Sequence, residues 1–120
     1  PKEGKGQPIK PSHLEKVKKN DIVLLWSPYS GDEQPYISPE SAEWLARKPV
    51  KMVGVQNIGV EAPGGSMATH NNLLGNDIPL IEGLVNLEKV KKERVFYIGL
   101  PLRVRGLDSS WIRAVVFEPS

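Results

Sequence analysis

The apolar positions of this chain fall into short blocks, separated by stretches rich in glycine, proline and asparagine. Ile22-Val-Leu-Leu-Trp26 is apolar on both faces, the pattern of a central strand. Lys51-Met-Val-Gly-Val55 predicts a second buried strand. Between them, Ser38-Pro39-Glu40 starts a helix, with a capping serine, proline at the first helical position and an acidic first turn. Ala42, Leu45 and Ala46 form its apolar stripe, and Pro49 lies just past its end. Upstream, Ser12 predicts the N-cap of a short helix reaching about Lys18, with Glu15 completing a capping box.

In the second half, Glu61-Ala-Pro-Gly-Gly-Ser66 reads as a tight loop. Ser66 is placed to cap a short helix that carries His70 and ends at Gly75. His70 lies one turn before Leu73 and Leu74, which predicts a shared inward stripe. On Ile78-Pro-Leu-Ile-Glu-Gly-Leu84, period-two alternation sets Glu82 on the face of Ile78, Leu80 and Leu84. Asn86–Val90 reads as one helical turn. Val95–Val104 follows as a long strand with Pro101 at a bulge or edge, and Trp111–Phe117 as a last, antiparallel strand. Strand and helix alternate early and two strands close the chain. That order predicts an α/β fold, a mixed sheet with packed helices.

The 120 residues suit one domain, and 39% hydrophobic with 25% charged residues is ordinary globular composition. Residues 1–11, with three prolines and two glycines, read as an irregular arm or linker before a single domain over 12–120. No apolar run is long enough to cross a membrane, and no signal-peptide pattern opens the sequence. A cytoplasmic location with no membrane partner is the default expectation. A formal charge of +2 is too small to argue for nucleic acid. Six lysines fall within 1–20, but glutamates dilute them and no aromatic is interleaved for base stacking. With no cysteine, thiolate metal sites and disulfides are excluded.

The chemistry then rests on His70 and Glu82, twelve residues apart. Imidazole and carboxylate together suit zinc or manganese, and a carboxylate on an apolar face is costly without a cation or several donors. Each has a plainer reading alone: His70 as a core or helix-surface histidine, Glu82 as the partner of Arg103 or Arg113. Pro63-Gly-Gly-Ser66 reads as a connection rather than an anion loop, since it lacks a lysine and the phosphate-loop length. Trp26, Tyr29 and Tyr36 read as packing aromatics before they read as a pocket wall.

His70, the Leu73-Leu-Gly75 turn, the Ile78–Leu84 run and Asn86-Leu87 together resemble the metal-dependent cyclase family, which includes bacterial kynurenine formamidases and isatin hydrolase. The resemblance continues in order through Asn20-Asp-Ile-Val-Leu-Leu25, Ile37-Ser-Pro-Glu-Ser-Ala-Glu-Trp-Leu45, Val53-Gly54-Val55, Leu100-Pro-Leu-Arg103 and Ile112-Arg-Ala-Val115. It implies a swivelling β/β/α fold, of which this chain matches the C-terminal portion without the N-terminal part. By kinship it implies hydrolysis of an amide, formamide or cyclic amide or ester bond in a small-molecule substrate, with a divalent metal, zinc or manganese, held by His70 and Glu82. It also implies a homo-oligomer, most simply a dimer.

The family's second motif, His-x-Gly-Thr-His-x-Asp, has no counterpart here. His13, the other histidine, reads as a surface residue. The remaining ligands and the general base would come from a preceding segment or a complementing chain, and no catalytic residue is assigned here. Gln56 stands where the family carries an aspartate, and Ser109-Ser110-Trp111 where it often has Gly-Ser-Pro. The alternative expectation is a non-catalytic binding or structural module.

Overall fold

A computed structural model describes residues 4–120. Three parallel strands form the frame: β2 (Ile22–Trp26), β4 (Met52–Gln56) and β5 (Leu80–Ile81), in the order β2-β4-β5. Parallel neighbours need a crossover, and helices supply both: α1 (Pro39–Arg47) joins β2 to β4, and α2 (Ala68–Leu74) joins β4 to β5. A second parallel pair, β1 (Pro8–Ile9) with β3 (Tyr36–Ile37), stands in its own small sheet. The arm expected over 1–11 therefore contributes a strand.

Helix α1 forms where its signals lie. Ser38 caps it, its side chain accepting from the Ser41 N–H at 3.1 Å, with proline at the first turn. Both Ser38 Oγ and Ser41 Oγ donate to the Ile9 carbonyl, at 2.9 and 2.6 Å, so the cap also ties β1 to the helix. Ala42 and Leu45 are buried as expected, and Ser41 joins them through those bonds. Leu45, Ile37, Val53 and Leu73 are the fully buried apolar centre of this unit, between the helices and the strands.

Three local expectations are corrected. Strand β2 is an edge, not the centre; β4 is central, and Ile22 and Trp26 keep substantial exposure. The helix at Ser12 is a 3-10 turn, Pro11–Leu14, capped from Lys10, whose N–H donates to His13 Nδ1 at 2.9 Å. His13 is exposed, as read. Nor is there one mixed sheet among the described residues: parallel and antiparallel pairing are in separate sheets.

Gly54 lets side chains pack closely on β4: a Cβ there would meet the ends of Leu24 and Leu84 at 2.9 and 2.7 Å, and both would have to turn aside. Residues from Lys89 onward form a separate compact unit. In it β6 (Phe96–Pro101) pairs antiparallel with β7 (Ile112–Phe117), Phe96 opposite Phe117 and Pro101 opposite Ile112. Pro101 ends the strand in regular register opposite Ile112, with no bulge, and both strands of this pair are edge strands.

Candidate functional site

In parallel sheets, binding residues gather beyond the carboxyl ends of the strands. Glu82 follows β5 directly, and Glu61 lies in the connection from the carboxyl end of β4 to α2. Strand β5 has only two residues, so Glu82 has already left the sheet and its side chain is 62% exposed. This corrects the reading of Glu82 on a buried face: the run is too short for alternation to act as far as that position. His70 likewise flanks the inward stripe instead of sharing it. Thr69 and Leu73 are buried, His70 is partly buried and Leu74 is exposed.

His70 Nε2 stands 4.0 Å from Glu82 Oε2. That is beyond hydrogen-bond reach. Two donors bound to one tetrahedral zinc at 2.0–2.2 Å stand about 3.4 Å apart, so a small turn of the exposed Glu82 side chain brings the pair to that spacing. Chemically the donor set fits a divalent ion in part, one imidazole nitrogen and one carboxylate. Among the described residues no group of three or more His, Cys, Asp or Glu side chains is placed to hold a metal.

On its other side the His70 ring meets Glu61, with Nδ1 at 2.9 Å from Oε1. The same carboxylate accepts the His70 N–H at 2.8 Å and the Thr69 N–H at 3.2 Å. It thus occupies the place expected of Ser66. The N-cap position is Met67, which offers no side-chain acceptor, and Glu61 satisfies the first-turn donors from outside the helix. Burial pushes the Glu61 carboxyl up, but hydrogen bonds from the backbone and ring of His70 and from Thr69 outweigh it and hold it below its ordinary value.

Glu61 is the residue that sequence reasoning missed, because it was absorbed into the glycine-rich loop. No local signal marked it, since Ser66 offered a nearer cap and Glu61 reaches its partners only through the fold of the loop.

Gln56, in place of the expected aspartate, has a structural task. Its Oε1 accepts the Leu87 N–H at 2.7 Å, and its Nε2 donates to Glu88 Oε2 at 2.8 Å. An aspartate has no donor for the second bond.

Comparison with known proteins agrees with the family resemblance. A family model described as "Putative cyclase" matches residues 5–62. The kynurenine formamidase of Erythrobacter litoralis is 31% identical over 112 residues, 88% of this chain and 51% of that protein. Among solved structures, a potential metal-dependent hydrolase with cyclase activity superposes with a TM-score of 0.80 at 26% identity, over 93% of this chain and 60% of the other. A predicted metal-dependent hydrolase from Bacillus stearothermophilus gives 0.80 at 25% identity, over 91% of this chain and 56% of that one. The chain is similar to proteins of the cyclase family, shares the α/β fold of the metal-dependent hydrolases it superposes on, and spans about half the length of the curated relative described above. Among the described residues no helix is long and apolar enough to cross a membrane.

Proposed function

We propose that this chain contributes His70 and Glu82 to the metal site of a cyclase-family hydrolase that cleaves an amide, formamide or cyclic amide or ester bond. The observation that carries the reading is the approach of His70 Nε2 to Glu82 Oε2, at 4.0 Å, beyond the carboxyl ends of parallel strands. When bound, a divalent ion such as zinc or manganese supplies Lewis acidity for activating water and polarising a carbonyl. The chain's own part is to hold two donors near one another, His70 from a helix whose first turn is held by Glu61 and Glu82 from the end of β5. Further ligands and the general base belong, in this reading, to a preceding segment or a complementing chain. The lack of a third ligand among the described residues favours a second reading, a non-catalytic module.

The two readings part in one experiment. The 120-residue chain is assayed with formamide and cyclic-amide substrates in zinc or manganese, alone and with a family N-terminal half bearing the His-x-Gly-Thr-His-x-Asp motif. The hydrolase reading expects little turnover alone, since catalytic zinc usually has three protein ligands, and recovery in the complemented form. His70→Ala and Glu82→Gln should each abolish the recovered turnover while circular dichroism stays unchanged. No recovery under any combination leaves the module reading standing. Turnover that survives His70→Ala overturns the ligand assignment.

A further inference from the structure

Glu61 makes more contacts with the His70 residue than capping alone requires: it accepts the backbone N–H at 2.8 Å and also meets ring Nδ1 at 2.9 Å. A carboxylate only accepts hydrogen bonds, so for the neutral ring this contact requires the proton on Nδ1. Nε2 is then left with its lone pair, and Nε2 is the atom facing Glu82 at 4.0 Å. Two electron-pair donors facing one another across that gap, with no proton between them, are an arrangement that a cation relieves. The Glu61 side chain is well covered, at 16% exposure, and pinned by two backbone donors, so it is the stiff member of the trio; Glu82, at 62%, is the adjustable one.

We infer that Glu61 is a positioning residue: it fixes His70 as the Nδ1–H tautomer and aims Nε2 toward Glu82, while securing the first turn of α2. Its importance for metal rests on the functional reading above, but the tautomer does not. Histidines that ligate metals commonly donate their second ring N–H to such an acceptor, and losing it typically lowers metal affinity by about 10–100-fold.

The test uses the ¹⁵N-labelled chain without metal, at a pH where the imidazole is neutral. Long-range ¹H–¹⁵N correlation should show His70 with a protonated Nδ1 and a bare Nε2. In Glu61→Ala the Nε2–H form should gain population. Glu61→Gln keeps one acceptor oxygen and should retain more of the Nδ1–H form than the alanine variant, which guards against misreading a folding defect. Manganese-induced broadening of the His70 ring signals should then need about tenfold more Mn²⁺ in Glu61→Ala than in the parent chain.

An Nε2–H ring in the parent chain, or an unchanged tautomer and manganese response in a folded Glu61→Ala, overturns the role of Glu61. Broadening of the His70 ring that needs no more Mn²⁺ in Glu82→Gln than in the parent chain would instead strike the metal reading; the tautomer result would still uphold Glu61.

Discussion

Glu61 gathers the N–H groups of Thr69 and His70 and the His70 ring onto one carboxylate, and this arrangement has a pH signature. Burial alone would raise the carboxyl, but the hydrogen bonds prevail and the folded value lies below the ordinary one. A depressed carboxyl contributes stability that is present above the unfolded value, about 4.3 for glutamate, and is lost as pH falls through the folded value. Urea unfolding of the parent and Glu61→Gln should therefore differ most near neutrality, with the parent more stable, and converge as the solution is acidified below that range. A constant gap down to strongly acidic pH would assign the difference to shape rather than charge. The His70–Glu82 spacing was legible in the sequence because both residues stood out chemically and the surrounding motif resembled a known family. Glu61 was not, because its partners lie eight and nine residues ahead and nothing in loop composition reveals which way a loop folds back.

Secondary structure follows the same division between local and non-local causes. The Ser38 cap of α1 and the β2 range were legible because their signals sit within a few residues of the element they define. The position of β2 at the sheet edge was not, since an apolar pattern reports burial without naming the neighbour. Gln56 shows how one β4 side chain fixes a distant turn. Replacing it by glutamate keeps the acceptor for the Leu87 N–H but sets two carboxylates against each other where Nε2 now donates to Glu88. Gln56→Glu should cost about 1 kcal/mol at neutral pH, the worth of one hydrogen bond, and the deficit should shrink in acid as a protonated carboxyl regains a donor. Denaturant melts at two pH values, with amide exchange at Leu87 as the local probe, measure both parts. Equal stability at neutral pH would mean that the Glu88 contact contributes nothing.

At the scale of the whole molecule, the two units have unequal means of holding themselves. The unit through Glu88 has a buried centre built by two helices and two small parallel sheets. The unit from Lys89 is a two-stranded antiparallel hairpin, and an isolated hairpin is marginal in water. Its Phe96 and Phe117 rings lie 6.3 Å apart in a tilted pair, a modest internal contact. Phe96, Leu100, Phe117 and Trp111, the last 85% exposed, are large apolar side chains left in water. The expectation of a homodimer, drawn from kinship, therefore gains a location to test. Sedimentation velocity at micromolar concentration should show a species heavier than the 13.3 kDa chain, and Trp111→Ser combined with Phe117→Ser should shift it toward monomer without altering the unit through Glu88. A parent chain that remains monomeric, with its hairpin amides still protected from exchange, would count decisively against self-association, because the hairpin would then be stable without any copy to cover it.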